Sequence, residues 1–202
     1  MHSIEEENQA FLPAAAGRAS PSRKKQGRNT MIDTSGYERL AFETSAFRDI
    51  ELEMIKDAIR SWSETPGKPY HESEIRDGRV LAGFCLLSKA GNTDYTYDVT
   101  AFCVDPGYRD KGIGKRLLEQ VEADILGRES SAILRFEIST QKLESMGAEL
   151  LPSSGYTLIG HIADFYETGN DYYIYARHLF RPRPGRPAVA PAPEETGQGE
   201  TT

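Results

Sequence analysis

The sequence predicts an α+β fold, a sandwich built on one mixed, mostly antiparallel central sheet with flanking helices. Three observations carry this expectation. Apolar residues recur at helical spacing in segments 46–62 and 112–126. Runs of strand character are joined by glycine-containing turns. Their order is helix, three strands, helix, strand, helix, two strands, so antiparallel runs are broken by helices.

Each element has a local reason. Residues 46–62 place Leu52, Ile55, Ile59 and Trp62 on one helical face, with Met54 and Ala58 nearby. Pro66 and Gly67 end that helix. The strands at 70–75 and 80–87 flank Arg76-Asp77-Gly78-Arg79, and Asp-Gly suits the positive φ of a tight hairpin. A second turn, Ala90-Gly91-Asn92, leads into a strand at 95–104. In 112–126, Ile113, Leu117, Val121 and Ile125 recur at steps of four, and Leu118 widens the stripe. A buried-type strand follows at 132–138, then a helix around 141–151 that Pro152 cuts short, then strands at 156–164 and 171–179.

The chain has 202 residues, which suits one domain. Residues 1–30 and 181–202 are rich in Ala, Pro, Ser, Gly and charge; both are expected to be disordered tails around a folded domain at 31–180. The first tail carries a basic cluster, Arg18, Arg23, Lys24, Lys25 and Arg28, and Met31 is an alternative start. The formal charge is -7. The tails carry +2 and 0, which leaves -9 on residues 31–180. This acidity argues against a nucleic-acid partner, which needs clustered positive charge, and leans toward a cationic ligand. No apolar run approaches the roughly 18 residues of a membrane span, and the N-terminus lacks the apolar core of a signal peptide. A cytoplasmic protein with no membrane partner is therefore expected. Cys85 and Cys103 lie in apolar stretches and read as reduced, buried thiols. With four scattered histidines and no C-x-x-C, no metal is expected.

The chemistry concentrates in Cys103-Val-Asp-Pro-Gly-Tyr-Arg109-Asp-Lys-Gly112-Ile-Gly114-Lys115. A strand ends, Pro and Gly turn the chain, and a helix starts at a glycine pair. Bare N–H groups at a helix N-terminus favour an anion, and glycine lets a phosphate approach the backbone. The Walker pattern fails because Ile113 follows Gly112 and Arg116 follows Lys115. The dinucleotide fingerprint fails because Leu117 stands where its last glycine belongs. An R-x-x-G-x-G box after a V-x-P turn fits throughout.

This segment resembles the coenzyme A motif of the GCN5-related N-acetyltransferase superfamily, and the element order extends the resemblance over about residues 37–180. Ribosomal-protein N-terminal acetyltransferases are similar members. The resemblance implies a sheet that splays between its fourth and fifth strands, with acetyl-CoA as cosubstrate in the gap. Its pyrophosphate is expected on Asp110, Lys111, Gly112, Ile113, Gly114 and Lys115, in a motif opened by Arg109. Its pantetheine arm is expected to pair with Phe102, Cys103 and Val104. The implied reaction is direct attack of an amine on the thioester, without a covalent intermediate; Cys103 is then a small buried hydrophobe.

Two carboxylates align with family bases. Asp98, 11 residues before Arg109, aligns with the glutamate of histone acetyltransferases. Glu137 aligns with the base of ribosomal-protein acetyltransferases. Each has a plainer reading: Glu137 ion-paired with Arg135, and Asp98 hydrogen-bonded to Thr96 or Thr100, with which it shares a face. The tyrosine that many members use as acid falls at Leu151, and their upstream Asn at Glu144. Tyr166 and Tyr173 are the substitutes. The hairpin 161–175 is similar to a D-Y-Y-x-x-G-x-D segment that borders the acceptor site, where Asp164, Glu167 and Asp171 could hold an ammonium group. His161 and His178 read as structural. The expected function is an acetyl-CoA-dependent N-acetyltransferase acting on an amine acceptor, with a homodimer left open. The alternatives are a catalytically inactive acyl-CoA-binding or regulatory protein, and a scaffold that docks through the Pro-rich tail.

Overall fold

The computed structural model describes residues 32–181, so the expectations for both tails, Arg181 apart, lie outside the described residues. Six strands form one sheet in the order β1-β2-β3-β4-β6-β5. They are β1 (Tyr70–Asp77), β2 (Val80–Lys89), β3 (Thr96–Val104), β4 (Ser131–Ser139), β5 (Thr157–Glu167) and β6 (Asn170–Phe180). All neighbours run antiparallel except β3 and β4. Parallel strands need a crossover, and α3 (Ile113–Arg128) supplies it. The β3–β4 ladder is short: Thr96, Tyr97 and Asp98 pair with Ile133, Leu134 and Arg135, and then the strands part. This is the expected splay. It lies between the third and fourth strands because three strands precede it among the described residues.

Helices cover both faces. On one, Ile113, Leu117, Leu118, Val121 and Ile125 of α3 bury against Phe102, Leu134 and Phe136. On the other, α1 (Ser35–Glu43) and α2 (Asp49–Glu64) pack Leu40, Ile55, Ile59 and Trp62 onto Phe84, Leu86 and Cys103. Glu51 in the first turn of α2 accepts from the Arg48 N–H at 3.0 Å, which fixes the start of that helix. Cys85 and Cys103 are buried free thiols, and burial pushes both thiols up.

Five details differ from the sequence reading. Helix α1 is additional, and the helix expected from residue 46 starts at Asp49. Met54 is exposed, because its neighbours Ile55, Ala58 and Ile59 already fill the buried stripe. The helix expected over 141–151 is two, α4 (Thr140–Met146) and α5 (Leu150–Ser153). Gly147, at φ +87°, makes the break. Pro152 sits within the first turn of α5, where a missing N–H costs no helical bond. Finally, β3 is bulged: Leu86 pairs with Ala101 and Leu87 with Val99, leaving Thr100 as the extra residue. The bulge breaks the alternation that would line up Thr96, Asp98 and Thr100. Tyr97 and Val99 face the α3 core before it, and Phe102 does so after it.

Candidate functional site

The turn after β3 is held by its own residues. The Asp105 carboxylate accepts from the Gly107 N–H at 2.8 Å, inside a 3₁₀ turn over Pro106–Tyr108. Asp110 and Gly112 then take φ of +60° and +74°. The first helical bond into this end of α3 is Arg116 N–H to Gly112 O at 3.1 Å, so the N–H groups of Ile113, Gly114 and Lys115 have no partner within the helix. The two glycines of the box differ in purpose. A Cβ on Gly112 would meet open space, but its backbone is left-handed. A Cβ on Gly114 would lie 3.3 Å from Leu150 Cδ2 and 3.8 Å from Val104 Cγ2, so this glycine brings α3 close to α5 and β3. Lys111 folds back, donating to Gly107 O at 2.8 Å and lying over the Tyr108 ring. Arg109 reaches the other way, donating to Thr44 O and Ser145 Oγ, both at 3.2 Å. It thus ties the turn to the α1–α2 connection and to α4.

Beyond Asp98, the side of β3 that faces β4 has no ladder partner, so the backbone of residues 99–104 opens onto a cleft. Its walls include Phe47, Thr100, Phe102, Phe136, Glu137 and Lys142. Phe102 and Cys103 are themselves buried; what they offer the gap is backbone.

The two candidate carboxylates share one cation. Arg135 donates from Nε to Asp98 Oδ1 at 2.8 Å, and its Nη2 lies 3.2 Å from Glu137 Oε1. Of the two plainer readings, the Glu137–Arg135 ion pair is present as expected, whereas Asp98 pairs with Arg135 and with no threonine hydroxyl. The carboxylates are not equivalent. Glu137 stands on the cleft wall, and Asp98 belongs to the last rung of the ladder. The hydrogen bond to Asp98 raises the Arg135 guanidinium above its ordinary value; burial opposes this less strongly, and the charges of Asp98 and Glu137 add to the rise.

The tyrosines separate by face. Tyr166 lies against Arg48, whose guanidinium carbon is 4.4 Å from the ring centre. Burial first, then Glu51, raise its phenol. Tyr172 sits next to Glu137, and burial followed by that carboxylate raises its phenol strongly. Tyr173 points to the opposite face, donates to Asp171 at 3.2 Å and stacks on His161. Leu151 is fully buried in the core, and Glu144 is exposed. Asp164 and Asp171 brace the β5–β6 hairpin: Asp171 accepts from the Asp164 N–H at 2.9 Å, and Asp164 accepts from the Gly169 N–H at 2.7 Å. His161 bonds Asp171 at 2.7 Å, and His178 packs on Phe180, both structural contacts.

The sequence reading missed Lys142, Glu51, Arg48 and Tyr172. Lys142 on α4 pairs with Glu51 on α2, its side chain 14% exposed, and lies over the Phe47 ring. Burial opposes ionisation of Glu51, but Lys142 and the Arg48 amide outweigh it and hold the carboxyl below its usual range. Around the cleft, Asp98, Glu137 and Glu51 are each countered by Arg135, Lys142 or Arg48. The cleft is locally balanced, unlike the acidic chain as a whole.

The model of the acetyltransferase (GNAT) family matches residues 35–145. The chain belongs to that family. It is 29% identical over 109 residues to the N-alpha-acetyltransferase RimI of Mycobacterium tuberculosis, a stretch covering 53% of this chain and 65%, just under two thirds, of that protein. Among solved structures it superposes on a putative GNAT acetyltransferase from Desulfovibrio desulfuricans with a TM-score of 0.64 at 20% identity, covering 74% of this chain and 95% of the other. The ribosomal-protein-S18-alanine N-acetyltransferase from Escherichia coli gives 0.57 at 17% identity, covering 76% and 92%. At these identities the structures speak for the fold, which is the one the sequence predicts. No helix among the described residues is long and apolar enough to cross a membrane.

Proposed function

We propose that the protein transfers an acetyl group from acetyl-CoA to an amine by direct attack on the thioester. The observation that carries this is the unpaired edge of β3, which ends in a glycine turn with bare N–H groups and faces Glu137 across the cleft. A pyrophosphate suits those N–H groups: donors converge there, Gly112 supplies the left-handed bend, and Lys111 and Lys115 add charge. The free backbone of Phe102, Cys103 and Val104 suits the amides of a pantetheine arm, as an added strand would. Glu137 takes the amine proton. Asp98 acts through Arg135, holding the guanidinium that in turn holds Glu137. The catalytic unit is residues 31–180, working in the cytoplasm.

The acceptor is an amine: a polypeptide N-terminus, a lysine or a small metabolite. Local charge balance means that it is selected by fit and by hydrogen bonds more than by net charge. Free-thiol release from acetyl-CoA across a panel of such amines tests the reading. Turnover that Glu137→Gln abolishes supports it. Tight CoA binding without turnover favours the runner-up, an acyl-CoA-binding regulatory protein, for which the buried Leu151 in place of an acid is the specific support.

A further inference from the structure

We propose that Lys142 of α4 stabilises the departing CoA thiolate and so replaces the acid missing at Leu151 of α5. This rests on the acetyltransferase reading and deepens it. The tyrosine position of the resemblance is Leu151, fully buried and without a proton to give. Tyr173 lies on the other face, committed to Asp171. Tyr166 and Tyr172 border the site, but burial and carboxylates make both phenols weaker acids than free tyrosine. Ser145 is on the cleft wall and accepts from Arg109, but its hydroxyl is neutral and a far weaker acid than a thiol, so it brings no positive charge to a departing thiolate.

Lys142 is the ammonium on the cleft wall among the described residues. It lines the same cleft as Thr100 and Phe102 of β3, and its charge pulls the buried Cys103 thiol downward against its burial. Glu51 and the Phe47 ring hold it in place from the α2 side. A positive charge already positioned in a gap lined by Phe47, Phe102 and Phe136 needs no reorganisation when negative charge develops beside it.

Ordinary acidities decide how it acts. A lysine ammonium, at about 10.4, is a weaker acid than a thiol, for which cysteine at about 8.5 gives the scale, so the proton is favoured on nitrogen. Lys142 therefore pairs with the thiolate and does not protonate it. The amine nitrogen bonds to the acetyl carbon and its proton passes to Glu137. The C–S bond breaks with its electron pair on sulfur, and CoA leaves as a thiolate ion-paired to Lys142. Glu137 then releases its proton to solvent, which restores the base.

The test titrates bound CoA by the ultraviolet absorbance of its thiolate. In the full-length protein the thiolate should form at lower pH than in free CoA. Lys142→Met should abolish that shift, keep acetyl-CoA binding within a few-fold, and lower kcat about 100-fold. Lys142→Arg should restore part of both. Glu51→Gln removes the same ion pair but keeps the ammonium, so it should retain the shift. If Lys142 were only a tie between α2 and α4, Lys142→Met and Glu51→Gln would behave alike, which overturns the proposal. Bound CoA that titrates like free CoA overturns it as well. Failure of the acetyltransferase reading looks different: CoA does not bind, or no thiol is released from acetyl-CoA by any amine.

Discussion

Glu72 on β1 offers a stability test with a magnitude set by its surroundings. Its carboxyl lies under α1, where the Tyr37 hydroxyl bonds Glu74 at 2.6 Å and reaches Glu72 at 3.4 Å. Burial, then repulsion from Glu74, push Glu72 from 4.5 up to about 7, while Tyr37 and Arg76 partly oppose this. An acid with a raised folded-state pKa favours folding in its protonated form. That contribution is complete below pH 4.5 and is lost as pH rises to about 7. At about 1.4 kcal/mol per pH unit, the loss is about 3 kcal/mol. Glu72→Gln keeps the shape without the charge. It should leave stability near pH 4.5 almost unchanged and raise it by up to about 3 kcal/mol at pH 8, since the glutamine never ionises. Urea denaturation of both proteins at the two pH values measures this. A gain of equal size at both, or none at pH 8, would refute the burial argument.

Other outcomes follow from the site. Gly112→Ala should cost about 1–2 kcal/mol of stability, because alanine resists the left-handed backbone, and should weaken CoA binding; calorimetry and denaturation read the two effects separately. Gly114→Val should lower CoA affinity by pushing α3 off Leu150, which the same calorimetry measures. Glu137→Gln should lower kcat by about 100-fold or more, while Asp98→Asn should cost only a few-fold and leave KM for acetyl-CoA unchanged; equal losses in steady-state assays would make Asp98 a base in its own right. Glu122→Gln should destabilise by about 1–3 kcal/mol, because Arg177 loses a charged partner at 2.7 and 2.8 Å and must share the one remaining amide oxygen with Tyr156; thermal melts would show it.

The motif and the strand pattern were legible because their signals are local. A four-residue step in α3 or a Gly78 turn at φ +59° needs no distant partner. Helix α1 was not legible: it is short, it buries Tyr37, Leu40 and Ala41, and it leaves Phe42 69% exposed, so its apolar stripe is blurred. The bulge at Thr100 was hidden as well, since a bulge is a property of two strands and not of one. Lys142 and Glu51 meet across 91 residues, and no spacing rule connects them. The pairing of both candidate bases with Arg135 was half visible. Arg135 and Glu137 stand two apart on one strand face, but the parallel register that brings in Asp98 exists only in three dimensions.

The brevity of the β3–β4 ladder has a mechanical meaning. Three residue pairs are all that stitch the sheet together at its middle. The sheet is therefore better pictured as two three-stranded leaves sharing a spine, with α3 as the strap across the fold and Arg135 as a rivet at its base. Small changes in the tilt between the leaves would be magnified at the open end, so the width presented to a reactant is governed by a few contacts at the bottom of the wedge.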